Sequence, residues 1–334
     1  MQYRTLGKTG LRVSALGFGC GTVGGIIIRE EPRTRVRAVA RAVEAGINYF
    51  DTASMYGDGL SEQHLGQVLK ELKPAVYVGT KVRLRPEEFG DIRGAIQRSV
   101  EASLTRLGME QVDLIQLHNH IVSRRTPGTE TETALTTAEV LEEVVTAFRQ
   151  LQADAKVRFY GITGLGDTAA LQEVMASTLF HTAQVCYNLL NPSAGHPVPQ
   201  GFPSQNYNFL IDQATAHGMG TIGIRILAAG ALSGEESRHP IAVPRVAPIG
   251  SGPEYRTDVE RARALSFLVQ DGYASSLVEA GMRFTWNKGN LSTALVGCSS
   301  MEHLEQAIAA EARGGLPDLA LQRLSGAWAQ FVAA

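Results

Sequence analysis

The sequence predicts a single (β/α)8 TIM-type barrel spanning 1–334, with an N-terminal β-hairpin and long loops at the C-terminal face of the strands. Three observations predict it. Strand-like and helix-like segments alternate from end to end and make eight strand–helix units. The strand segments are apolar and β-branched, as buried strands are, with no break in composition between the halves. Parallel neighbours need helical crossovers, and eight such units in 334 residues suit a closed barrel better than an open sheet.

In chain order, YRTLGKTGLRVSAL reads as a hairpin turning at Gly7 to Gly10. LGFG (16–19) is the first barrel strand, followed by a helix over about 33–45 that stops at Gly46. INYFD leads into the helix SEQHLGQVLKEL, with Ser61 as the expected N-cap. AVYVGTK leads into an amphipathic helix from Asp91 to Leu107, stopped at Gly108. VDLIQLH precedes a helix over 137–153, and KVRFYGIT precedes one from about 167. HTAQVCY is followed by a helix near 207–217, MGTIGIRIL by helices within 254–287, and STALVGC by MEHLEQAIAAEA. Three connections, 119–136, 188–206 and 233–253, are long for this fold, and all follow strands on the side where such barrels carry their sites.

Composition excludes several classes. Apolar residues make up 44% and charged residues 19%, with a net charge of −2, as in ordinary globular proteins. Arg33, Arg35, Arg37 and Arg41 read as a solvated helix face, which leaves no basic stripe for nucleic acid. No apolar run reaches membrane-spanning length, and the first ten residues lack the apolar region of a signal peptide. Three cysteines without metal-like spacing point to a reducing, cytoplasmic setting. Cys20 and Cys298 are expected to be packing residues, Trp286 and Trp328 helix-packing aromatics, and His120 and His196 exposed loop residues or lining of a substrate mouth.

Four residues form the expected chemical centre: Asp51, Tyr56, Lys81 and His118. Each stands at or just beyond the end of a predicted strand, on three consecutive strands. Tyr56 has a proton to give. Lys81 stabilises the phenolate, Asp51 holds the lysine, and His118 orients a substrate oxygen or relays a proton.

The chain resembles the aldo-keto reductases. The matching pieces are YRTLGKTGLRVSALGFGC, GINYFDTASMYGDGLSEQHLG, VGTKV, DLIQLH, YGIT, AQVCYN, GALSG and LVGCSSMEHLEQA, in family order from about residue 3 to 311. The block FDTAxxYG–SExxLG is the specific part. The resemblance implies a barrel that binds a nicotinamide nucleotide extended, without the dinucleotide fingerprint, and indeed no GxGxxG follows the first strand. It implies Tyr56 as general acid in carbonyl reduction, tuned by the Lys81–Asp51 pair, with His118 sharing the substrate oxygen.

For the nucleotide, the resemblance implies Gln184 and Thr163 at the nicotinamide carboxamide, although Gly164 stands where the family has asparagine. The aromatic that stacks on the nicotinamide in relatives is replaced by Ile224 and Arg225, with Tyr187 a candidate substitute. Arg225, with Leu227, Gly230 and Leu232 of LAAGALSG, is expected at the pyrophosphate, a barrel-top salt bridge being Arg225's alternative. Gly297, Ser299, Ser300 and His303 are expected at the ribose phosphate, at a helix N-terminus that favours anions. NADP(H) is the implied cofactor. NAD(H) stays open because Gly297 to His303 contains no Lys or Arg. The expected activity is hydride transfer between carbonyls (aldehydes, ketones, sugar anomeric centres) and alcohols or lactones. Two other readings remain: a Schiff-base lyase using Lys81, and a slow nucleotide-sensing regulatory subunit. Small carbonyl or sugar molecules are the expected partners.

Overall fold

In the computed structural model, which describes residues 1–126 and 128–333, eight parallel strands close into a barrel. Pro127, inside the long loop expected at 119–136, and Ala334 lie outside the described residues. The barrel strands are β3 (Leu16–Gly19), β4 (Tyr49–Asp51), β5 (Tyr77–Val82), β6 (Val112–Leu117), β9 (Val157–Gly164), β10 (Thr182–Cys186), β11 (Gly220–Ile224) and β12 (Thr293–Gly297), joined in that order with β12 back on β3. The eight expected strands are these eight.

The hairpin of β1 (Tyr3–Thr5) and β2 (Arg12–Ser14) plugs the N-terminal end of the barrel. Its turn needs left-handed backbone at Gly7 and Gly10 (φ 50 and 71), where glycine has no Cβ to clash. Leu6, Leu11 and Val13 then pack on Tyr49, Leu114, Ile222 and Leu295 inside the barrel. The opposite end stays open to the loops. Of these, 119–136 contains a short parallel pair, β7 (Ile121–Val122) with β8 (Leu135–Thr136).

The helices run at the expected places, with three departures. Ser61 does not cap its helix: Gly59 does, with φ 89, and the helix is Leu60–Leu72. The Ser61 hydroxyl turns inward, donates to Cys20 O at 2.8 Å and lies 2.8 Å from Thr52 Oγ1, so it pins the loop that carries Tyr56 between β3 and β4. The helix over 137–153 starts at a Thr136/Glu139 capping box and contains a π turn at Val140–Val144. A C-terminal helix, Asp318–Ala333, was not expected. It buries Ala320, Leu324, Ala327, Trp328 and Phe331, and Trp328 Nε1 donates to Leu189 O at 2.9 Å, which anchors the loop 188–206.

Helix Leu60–Leu72 packs directly on helix Ile92–Leu107, and Gly66 makes that approach possible. A Cβ there would stand 2.3 Å from Leu107 O. Gly66→Ala should therefore destabilise the fold by about 1–3 kcal/mol through overpacking, against a helix-propensity gain of about 1 kcal/mol. Urea denaturation measures it. A midpoint equal to or above wild type would show that the two helices separate without cost.

Candidate active site

At the open end, the barrel mouth is a cavity of about 810 Å³ that reaches Asp51, Tyr56, His118, Thr163 and Gln184. Asp51 ends β4 and Lys81 lies one residue from the end of β5, so the two meet from neighbouring strands, Asp51 lining the mouth and Lys81 buried behind it. Both are nearly wholly buried, 3% and 1% exposed. The Lys81 ammonium pairs with Asp51 Oδ1 and donates to Thr52 O at 2.8 Å. Asp51 Oδ2 accepts from Gln184 Nε2 at 2.6 Å and from Gln116 Nε2 at 3.4 Å. Burial alone would lower the lysine pKa, but the Asp51 carboxylate, with Tyr56 behind it, holds it above the ordinary value. A buried charge this well paired stays charged.

Tyr56, in the turn after β4, lays its ring 4.8 Å from the Lys81 ammonium. His118 directly follows β6, its N–H bonded to Val82 O at 2.8 Å, and its ring meets Tyr56 edge-on at 5.9 Å. Burial, then the charges of Lys81, Arg83 and His120, push the His118 imidazole well below its usual pKa. It is therefore neutral at pH 7, able to donate at one ring nitrogen and accept at the other. Its Nδ1 has no hydrogen-bond partner among the described residues. The four residues expected to meet do meet, around one opening.

The expected nucleotide residues divide. Thr163 and Gln184, paired across β9 and β10, line the cavity, and Thr163 Oγ1 is buried with no partner among the described residues. Arg225, Leu227, Gly230, Gly297, Ser299 and His303 also line it. Arg225 makes no ion pair among the described residues, so the barrel-top salt bridge is absent there; Nη1 reaches Ala247 O at 3.3 Å, and φ is 54. Leu232 does not line the cavity but packs in the core beside Gly281. Ser300 also stands off it as the N-cap of helix Met301–Ala312, its hydroxyl accepting from the His303 N–H at 3.2 Å. Tyr187 is no substitute stacking ring. It is fully buried outside the cavity and stacks on Phe284 at 4.9 Å.

Of the loop histidines, His120 is exposed and lines the mouth, whereas His196 lies outside it, stacked with Tyr187 and Phe284 and tilted against Trp328. The cysteines are all buried and unpaired, with Cys186 pushed up to about 11 and Cys298 to about 12 by burial, as packing thiols are. Trp286 packs with Nε1 on Ala15 O at 3.1 Å. No described helix is long and apolar enough to cross a membrane.

Sequence reasoning missed several lining residues. Thr22, Val23 and Gly24 come from the loop after β3. Arg238 and Tyr255 come from beyond β11, with the Arg238 guanidinium 5.1 Å over the Tyr255 ring. Arg238 also holds its own loop by donating to Ala229 O and Val243 O, both at 2.7 Å, and the Val243 N–H reaches Val23 O at 3.3 Å. Only Arg83 carried a local signal: it follows Lys81 by two residues, the period that keeps side chains on one side of a strand.

Comparison with known proteins bears on the family and the fold. The chain is 27% identical over 318 residues to an L-galactose dehydrogenase of Arabidopsis thaliana, covering 93% of this chain and 88% of that one. It is 26% identical over 336 residues to an L-glyceraldehyde 3-phosphate reductase of Escherichia coli, covering 93% and 87%. Among solved structures, an aldo-keto reductase of Bacillus halodurans in its holo form superposes with a TM-score of 0.71 at 23% identity, covering 98% of this chain and 96% of that one. The model of the aldo/keto reductase family matches residues 15–329, and the chain belongs to that family.

Proposed function

We propose that this protein is an NAD(P)-dependent oxidoreductase that interconverts carbonyl compounds and alcohols, with Tyr56 as the proton donor in reduction. The observation that carries the reading is the Tyr56 ring against the Lys81 ammonium, with neutral His118 beside both at the mouth of one cavity. A bound nicotinamide dinucleotide supplies or takes up the hydride. The residues present fit such a group. Thr163 offers an unpartnered buried hydroxyl, Gln184 an amide fixed by Asp51, and Arg225 a cation facing the cavity.

Reduction leaves charge on the former carbonyl oxygen, which a positioned donor must neutralise. Tyr56 donates to that oxygen, Lys81 stabilises the phenolate left behind, and Asp51 keeps Lys81 charged and in place. His118 holds the same oxygen from the other side. Oxidation of NADH and NADPH against a panel of aldehydes, ketones and sugars tests the reading. Turnover of none of them by the purified protein would overturn it.

NADP(H) follows from the family, and NAD(H) competes because no cation follows β12. His303, lowered by burial and by His239, adds no charge at neutral pH. Ser299→Arg should shift the ratio of dissociation constants toward NADP by about ten- to a hundredfold, the worth of one charge-assisted contact. Ser300→Arg gives a poorer test, since it also removes a helix cap worth about 0.5–2 kcal/mol. Protein fluorescence titration reads both cofactors. A wild-type NADP constant already a thousandfold below that for NAD would put the phosphate on Arg225 or Arg238 instead.

A further inference from the structure

Beside the catalytic cavity lies a second cleft of about 510 Å³, between the end of β5 and helix Ile92–Leu107. Its walls include four guanidinium groups, Arg83, Arg85, Arg98 and Arg106. Three of them are committed. Arg85 pairs with Glu87 and Glu88, Arg98 with Asp91, and Arg106 with the buried Glu62. Arg83 makes no ion pair among the described residues, and its one hydrogen-bond contact is the weak one to Met55 Sδ at 4.0 Å. Arg83 is also the residue that lines both spaces, the cleft and the catalytic cavity with Tyr56 and His118. The carboxylates nearest to hand are spent, Asp51 on Lys81 and Glu88 on Arg85; Glu235 enters the cavity from the loop after β11.

An uncommitted guanidinium at a reaction mouth is matched by a carboxylate or phosphate, which it can take bidentately. We propose that Arg83 seats an anionic group of the substrate, so that this enzyme's substrates are aldehydes or ketones bearing a carboxylate or a phosphate. The proposal rests on the oxidoreductase reading of the cavity.

The test compares matched pairs with NADPH and NADH: succinic semialdehyde against butyraldehyde, and glyceraldehyde 3-phosphate against glyceraldehyde. Wild type should favour the anionic member of one pair by about ten- to a hundredfold in kcat/KM, mostly through KM. The pair that shows the preference distinguishes carboxylate from phosphate. In Arg83→Gln the preference should collapse toward one, and Arg83→Lys should restore part of it by returning the charge without the fork. Arg83 is exposed, so both variants should melt near wild type. Succinate and inorganic phosphate are also titrated calorimetrically into the protein without turnover. The anion bound by wild type should bind at least tenfold more weakly to Arg83→Gln. Equal kcat/KM within both pairs, or a preference and an anion affinity that survive Arg83→Gln, would overturn the proposal while leaving the reductase reading standing. Absence of all turnover would remove the reductase reading, and the carbonyl substrate class with it, and leave only the anion site at Arg83 to be judged. The calorimetry would then decide the anion site, upheld by lost binding in Arg83→Gln and overturned by unaltered binding.

Discussion

Tyr56→Phe is expected to lower the rate of carbonyl reduction by about 10²–10⁴-fold, the usual worth of a positioned general acid. The substitution removes one hydroxyl and keeps the ring that packs edge-on to His118. Nucleotide affinity and thermal stability should therefore stay near wild type, because Thr163, Gln184 and Arg225 are untouched. The measurement is single-turnover reduction, which isolates chemistry from nucleotide release, alongside fluorescence titration of the cofactor. A variant that keeps more than about a tenth of wild-type single-turnover rate would assign the proton to another donor, with His118 the nearest.

Lys81→Met is expected to produce the second large effect, and it separates two chemistries. Removing the ammonium leaves the Tyr56 phenolate without its cation and Asp51 as an unpaired buried carboxylate. Reduction should slow by about 10²-fold or more, and the high-pH limb at which reduction falls away should move upward, because the proton leaves Tyr56 less readily. Breaking a buried ion pair from one side typically costs about 3–5 kcal/mol. Here the loss should fall at the low end, since Asp51 can take up a proton and still accepts from Gln184 and Gln116. Denaturant unfolding across pH checks this. Burial already holds the Asp51 carboxyl above its ordinary value against the pull of Lys81; without the lysine it rises further, so the variant's deficit should shrink as pH falls toward the carboxylate range. The Schiff-base alternative predicts something different: a lysine–substrate adduct in wild type that borohydride traps and mass spectrometry detects. An amine held protonated by Asp51 is a poor nucleophile, so no adduct is expected.

The long-loop residues explain why some of the site was legible and some was not. Asp51, Lys81 and His118 were readable because a strand's end is a local property. Its apolar run, its β-branched residues and the turn that follows are written in consecutive positions. Tyr56 was readable for the same reason, one short turn beyond β4. Leu232 and Ser300 are carried over by resemblance to the family's segments, and a shared motif does not fix which way a side chain turns. Leu232 falls in a stretch whose backbone passes through positive φ at Ala228, Ala229 and Gly230, which turns its side chain into the core. Ser300 is drawn to the first free N–H groups of the helix it precedes. The C-terminal helix has apolar residues at helical spacing, Ala320, Leu324, Ala327, Trp328 and Phe331, and the structure shows that this face is the buried one.

By itself the sequence determined the barrel, its strand order and the residues at the strand ends. Periodicity, turn chemistry and the hand of parallel crossovers leave one economical closure for eight such units. The tertiary structure alone decided which loop side chains share the mouth. Arg238 reaches it from a segment held by hydrogen bonds to Ala229 and Val243, Thr22 and Val23 from the loop after β3, and Ser61 turns inward to bind Cys20 and Thr52. It also removed Tyr187, which stacks on Phe284 instead. These placements rest on contacts between residues tens to hundreds of positions apart, for which burial and hydrogen-bond satisfaction across the whole fold choose the rotamer and no local pattern does.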